Sequence, residues 1–383
     1  MNRCLRLYAA VAVAASASVS LTSCGQAATS AAGGAGAHVA APVMPITPEH
    51  RFRVAYLQPS AGSTPGALFL ADGSITDTLA NTEMLAAANE LALSPLQRWD
   101  PGSYVGRLEA AGEDAEVVFR SGQLKPAAKR PADGPRLPIN DHGRPFHVMA
   151  GKAHLGNDTT LNFPELPVPT EPFTSDGKPT KGGIPQADSG LGGLVSTRDG
   201  RTVGVVVNYA EGRAFDDQGR TTALPLGGAV LAIAAGDDGN VYVLIRDLRR
   251  TENDVRLIAL DVHNMTVLRN GATGVRPAAD GYGAFSLVPT ADGGVVALIT
   301  TQEGAVQHDF LVTGDSAGVT TTRQLPDGVG LRAAAGPDGS LFLFGGAAAN
   351  TVNRLDLLSG RIDRDLPTLR TPPGTYVQAV FTE

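Results

Sequence analysis

Several groups of residues in this chain are of types that could do chemistry. His142, His147 and His154 lie near Asp141 and Asp158, and imidazole and carboxylate groups are what a transition metal takes. The histidine spacings, five and seven residues, match neither a helical i,i+4 pair nor a Cys/His finger. On an extended strand His142 and His147 would point to opposite faces, so the plainer expectation is exposed loop histidines and no metal. Asp216-Asp217 and Asp237-Asp238 set carboxylates side by side. Glycoside hydrolysis needs two carboxyl groups held apart across a sugar, whereas sequence neighbours in turns face water. No Asp-x-Asp-x-Asp-Gly calcium loop occurs, and no Gly-x-Ser-x-Gly elbow that would present a nucleophile. Ser189-Gly190 and Gly192-Gly193 fall in a glycine-rich stretch that opens no helix, so a phosphate cradle is not expected there; a connecting turn is. No catalytic residue and no cofactor is assigned.

The elements that would position such groups are short strands. Apolar alternation broken by Asp-Gly is a strong hairpin signal, because glycine takes positive φ at little cost. The pattern recurs at Asp199-Gly200, Asp238-Gly239, Asp292-Gly293 and Asp338-Gly339, each followed by an apolar run such as Val241-Tyr242-Val243-Leu244-Ile245 or Leu341-Phe342-Leu343-Phe344. Third strands end in a polar turn (Arg256 to Asp261, Val352 to Gly360), and more polar fourth strands follow at Met265 to Leu268, Val319 to Leu325 and Arg361 to Leu366. Four strands in every 40 to 50 residues is the period of a propeller blade. Small residues suit a first strand lining a channel, continuous apolar residues a second strand covered on both faces, and Thr, Arg and Asp an outer edge.

This form, an apolar strand, Pro-Asp-Gly, an apolar strand and then Leu-Asp-x-x-x-Gly, resembles the NHL/YVTN/quinoprotein-like group of bacterial propellers from about Gly190 to Leu366 and more weakly in the first half. The single tryptophan, Trp99, excludes a WD40 repeat. The expected fold is all-β, a β-propeller of four-stranded blades. Seven blades are expected at about 52–82, 84–122, 123–185, 190–226, 228–270, 283–325 and 329–366, with six or eight left open. The first would use Arg51 to Gln58, Ala67 to Ala71 and Ile75 to Leu79. Thr82 to Leu93 could instead be a helix on composition, and Arg144 to Ala150 is the clearest strand of the third blade. Thr375 to Phe381 reads as a first strand lacking its second, so it is expected to complete the first blade and close the ring.

The first residues read as an address. Arg3 and Arg6 precede an apolar run from Leu7 to Val19, too short to span a bilayer and suited to a signal-peptide core. It leads to Leu21-Thr22-Ser23-Cys24, which resembles the bacterial lipobox, and the resemblance implies lipidation of Cys24. Of two cysteines, Cys4 would leave with the signal, so Cys24 has no disulfide partner. Residues 1–23 are then the signal peptide, 24–45 a flexible tether of small residues, and 46–383 the propeller. Lipid on Cys24 would hold the protein at the extracytoplasmic face of the cell membrane.

With 31 Lys+Arg against 38 Asp+Glu and a net charge of -7, the chain lacks the basic face of a nucleic-acid binder. Propellers bind on the face made by the connections from strand two to three and from strand four to the next blade. On that face fall Arg246, Arg249 and Arg250, then Glu303, His308 and Asp309, and the proline-rich segment 162–189. The expected function is a tethered binding or scaffolding module for a protein or cell-wall glycan partner. The alternative is a propeller hydrolase or lyase, lactonase-, lyase- or glycosidase-like, with its site at the channel mouth.

Overall fold

The computed structural model describes residues 51–74, 79–89, 91–93, 97–100, 103–110, 113–120, 123–126, 152–155, 159–162, 164, 166, 190–197, 199–208, 211–247, 254–276, 285–290, 292–303, 306–326, 328–336, 339–346, 348–357 and 369–381. Every regular element among them is a strand. In chain order these begin with β1 (Arg51–Gln58), β2 (Gly66–Ser74), β3 (Leu79–Ala88), β4 (Leu91–Leu93), β5 (Gln97–Asp100), β6 (Ser103–Ala110), β7 (Glu113–Arg120) and β8 (Gln123–Pro126). They continue with β9 (Lys152–Leu155), β10 (Thr159–Asn162), β11 (Gly190–Ser196), β12 (Thr202–Val207), β13 (Gly212–Asp216) and β14 (Thr221–Leu224). Then come β15 (Gly228–Ala235), β16 (Asn240–Asp247), β17 (Val255–Asp261), β18 (Thr266–Ala272), β19 (Phe285–Pro289), β20 (Val295–Glu303), β21 (Val306–Asp315) and β22 (Gly318–Gln324). The last are β23 (Arg332–Ala335), β24 (Leu341–Phe344), β25 (Thr351–Leu355), β26 (Leu369–Arg370) and β27 (Tyr376–Phe381).

Four sheets, β11 to β14, β15 to β18, β19 to β22 and β23 to β26, are antiparallel meanders of four consecutive strands. The Asp-Gly turns make their first hairpins: Gly200 and Gly239 sit at φ +84° and +82°, a region only glycine enters freely. The side chains of Thr197 and Asp199 hydrogen-bond within one of these turns. Polarity changes across each sheet as expected. β12 and β24 are buried throughout, β15 and β23 are mostly half-buried, and β18 and β22 are largely exposed.

The sheets stand around an axis. The first strand of each touches the first strand of the next, β11 to β15, β15 to β19, β19 to β23 and β23 to β27. First strands that meet in succession while outer strands stay exposed describe radial blades, and the fold is an all-β propeller. Aliphatic side chains fill the gaps between blades: Val203, Val205, Val241, Val243, Ile245 and Ile258 belong to one such layer.

β27 pairs with β1 in the sheet β27-β1-β2-β3, so the tail supplies the first strand of a sheet whose other three come from the start of the described chain, as expected. Other boundaries differ. Thr82 to Leu93 is not a helix: Leu79–Ala88 is the outer strand of the closing sheet and Leu91–Leu93 opens the next. The pairing edge of β2 takes up a ten-residue strand with two register shifts, which overrides a composition that favours a helix in isolation. Of the third strand placed at Ile75 to Leu79 only Leu79 is described, as the first residue of Leu79–Ala88, and residues 84–88 of the blade placed from residue 84 belong to that strand, in the closing sheet. The next sheet runs β4-β6-β7-β8 with β5 also on β6, so Gln123–Pro126 is its outer strand and not the start of a third blade. β26 is Leu369–Arg370; Arg361 to Leu366, and the strand placed at Arg144 to Ala150, lie outside the described residues.

Candidate functional site

In each meander the sixth residue after the turn aspartate pairs with an inner-strand residue twelve positions earlier. The inner residues are Gly193 opposite Val205, Ala232 opposite Leu244, Ser286 opposite Leu298 and Arg332 opposite Phe344. The position points toward the next inner strand. A Cβ on Gly193 would lie 2.8 Å from Ile233 Cγ2 of the following sheet. Ser286 Oγ accepts from Ala333 N at 3.2 Å. Arg332 Nη1 donates to Gln378 O at 3.1 Å. The glycine-rich stretch expected to be a connecting turn is thus the inner strand β11, and its glycines make room for Val230 and Ile233.

Gly193, Ala232 and Ser286 are small, and Arg332 alone is long. It is half-buried, with its guanidinium largely surrounded by protein. Burial pulls its pKa below the usual arginine value, though arginine stays charged in proteins. Its acceptor, Gln378, is the residue of β27 skipped where the pairing with β1 shifts register, between Val377 and Ala379.

Arg332 opens its strand, so it lies toward the face made by the two-to-three and four-to-one connections. Arg246 reaches the same face near the end of β16; it is half-buried, and its Nε has no hydrogen-bond partner among the described residues. Glu303 closes β20 opposite Val306. His308 Nδ1 lies 3.4 Å from Gln324 Nε2. Asp309 is fully buried and accepts from Thr300 Oγ1 at 2.8 Å, Gln307 Nε2 at 2.8 and 3.0 Å, and Val329 N at 3.2 Å. It therefore ties β21 to the connection entering the next blade. Val306 and Tyr376 stand exposed on this face, 49% and 41% accessible. Cys24, Arg249, Arg250, Asp141, His142, His147 and Asp158 lie outside the described residues, as does most of 162–189. His154 is on β9, paired with Thr160.

The paired carboxylates on the opposite side of the blades have structural work. Asp216 is buried and meets Arg220 Nη2 at 2.6 Å and Nε at 2.7 Å. Arg220 also donates to His263 O and Val262 O of the following sheet, at 2.7 and 3.1 Å. Asp217 accepts from Thr202 N. Asp238 accepts from the Tyr242 hydroxyl at 2.7 Å, and that hydroxyl lies 3.1 Å from Gly293 O in the next turn. Burial, with Asp238 beside it, pushes the Tyr242 hydroxyl's pKa well above the ordinary tyrosine value. Among the described residues no group of three His, Cys, Asp or Glu side chains is placed to hold a metal.

No family model matches the chain, and no curated protein does. Solved structures similar to it include a streptogramin B lyase, 13% identical, covering 74% of this chain and 87% of that one at a TM-score of 0.40. A gluconolactonase from Xanthomonas campestris is 11% identical, covering 84% and 89% at 0.37. A puromycin-hydrolyzing peptidase from Mycobacterium tuberculosis is 13% identical, covering 72% of this chain and 47% of that one at 0.40. At these identities the likeness is one of fold.

Proposed function

We propose that this protein is a propeller tethered by lipid on Cys24 to the extracytoplasmic face of the membrane, where it binds a protein or cell-wall glycan partner. One observation carries the binding reading. Asp216, Asp238 and Asp309 are held in contacts that join strands and blades, while the face made by the longer connections keeps Val306 and Tyr376 in solvent. An apolar side chain in solvent amid polar ones is a point at which a partner can dock. The leader, with its lone mature cysteine, supports the tether.

The test is recovery of the intact lipoprotein from its own membranes, with bound partners identified by mass spectrometry. Expected results are a diacylglyceryl mass on Cys24, release of C24S from the membrane, and a partner captured by the wild type but not by a V306D/Y376D variant. Retention of C24S in the membrane would overturn the tether. The same partners on both face variants, or none that repeats, would overturn the docking face.

A second reading, a hydrolase or lyase acting at the channel mouth, is favoured by one observation: an enclosed cation, Arg332, beside small inner-strand residues. A panel of lactones and glycosides assayed with wild type and R332Q would test it, turnover lost in the variant being the supporting result.

A further inference from the structure

Arg332 is an unusual residue for its place. Its register position in the three preceding meanders holds glycine, alanine and serine, and the rest of its own strand is Ala333, Ala334 and Ala335. A guanidinium carries five N–H donors in a planar fork. Among the described residues Arg332 uses one of them, on Gln378 O, and meets no carboxylate. Withdrawing the guanidinium in part from water lowers its pKa, a cost that no carboxylate among the described residues offsets. A bound anion would lift that cost, and a charge-assisted bidentate contact is stronger in an enclosed site than in water.

We infer that the inner rim between β23 and β27 is a binding site for a single oxyanion group, a carboxylate or a phosphate, held by the Arg332 guanidinium. The alanines that follow Arg332 on β23 leave room for a slender ligand. Net charge of -7 disfavours a polyanion at long range, so the ligand carries one or two charges. The site deepens the channel-mouth reading but does not require turnover, and it does not depend on a partner docking through the Val306 and Tyr376 side chains.

The full-length lipoprotein in neutral detergent is titrated with acetate, succinate and inorganic phosphate at low ionic strength by calorimetry. Saturable binding of at least one probe is expected, weakened at least tenfold in R332Q and less in R332K. The carboxylate and phosphate arms identify which oxyanion is preferred. A second measurement on the wild type does not depend on a variant folding: phenylglyoxal modification of Arg332, mapped by peptide mass, is slowed by the bound probe. Binding unchanged in R332Q would overturn the proposal, as would no saturable binding and no protection with any of the three. A lowered urea midpoint in R332Q with unaltered binding would make Arg332 a tie between blades and also overturn it. Probe binding by the wild type that is lost in R332Q, with lactone and glycoside turnover absent in all forms, leaves the oxyanion site standing and removes only the enzyme reading.

Discussion

The meanders from β11 to β26 and the closing sheet β27-β1-β2-β3 use the same four-stranded form but reach it differently. In the meanders each strand pairs with its chain neighbour through a tight turn, so little entropy is lost in closing each hairpin. In the closing sheet Val54 lies opposite Val380 and Ala55 opposite Ala379, from opposite ends of the described chain. The packing differs in step. The layer between β11–β14 and β15–β18 is aliphatic apart from methionine. The layer at the closure holds Phe52, Phe342 and Phe344 with Val54, Val377 and Val380, and the Phe52 and Phe342 rings sit 4.4 Å apart, tilted by 41°. Aromatic pairs bury large area and add a geometric preference. The difference teaches that the pairing between the two ends of the described chain is packed by an aromatic layer where the meanders β11–β14 and β15–β18 use an aliphatic one.

Removing residues 374–383 breaks this comparison most directly. β1 would become an open edge, and the burial of Val377, Val380 and Phe381 would be lost. At roughly 1.5–3 kcal/mol for each fully buried apolar side chain, the loss is about 5 kcal/mol or more. Urea unfolding followed by circular dichroism should show a greatly lowered midpoint, with aggregation through the bare strand. A midpoint near that of the wild type would mean the ring does not depend on its closure.

A pair of smaller changes sharpens it. F342A at the closing layer should cost about 3–5 kcal/mol. V243A in the aliphatic layer should cost about 2 kcal/mol, from the methyl groups and part of the cavity. Matching midpoint shifts for the two would show that the aromatic layer packs no more tightly than the others.

The smallest effect is expected at the turns. The Thr290 hydroxyl holds the Asp292 carboxyl below its ordinary range; burial opposes it, and the Gly294 N–H adds a smaller lowering. A carboxyl with a folded pKa below its unfolded value adds stability above about pH 3.9, and that stability is lost as pH falls through the folded value. D292N should therefore lower stability slightly at neutral pH, slightly because the group is exposed, and flatten the acid limb below about pH 4, where the difference from the wild type closes. A steeper acid limb in D292N than in the wild type would contradict the sign.

Much of the fold was legible in the sequence where pairing is local. Asp199-Gly200, Asp238-Gly239, Asp292-Gly293 and Asp338-Gly339 mark hairpins because the turn chemistry and the alternation sit in adjacent residues. Leu79–Ala88 was harder to read: its Ala, Glu, Leu and Met favour a helix alone, and only the edge of β2 makes it a strand. The candidate site was the least legible part. Asp309 was assigned to the binding face from its loop, yet it is buried under Thr300, Gln307 and Val329. Arg332, one long cation at the head of an alanine run, is a signal in the sequence, but its partner Gln378 lies 46 residues away and only the fold brings the two together.

Composition, turn spacing and the leader by themselves determined an all-β repeat, its polarity from inner to outer strand, and the expectation of a lipid anchor at Cys24. Those properties depend on residues a few positions apart, whose interactions the order of the chain already specifies. Tertiary structure alone decided that Arg332 faces Gln378 and that Arg220 crosses to Val262 and His263. Such contacts join residues far apart in the chain, and they exist only once the blades have closed around their axis.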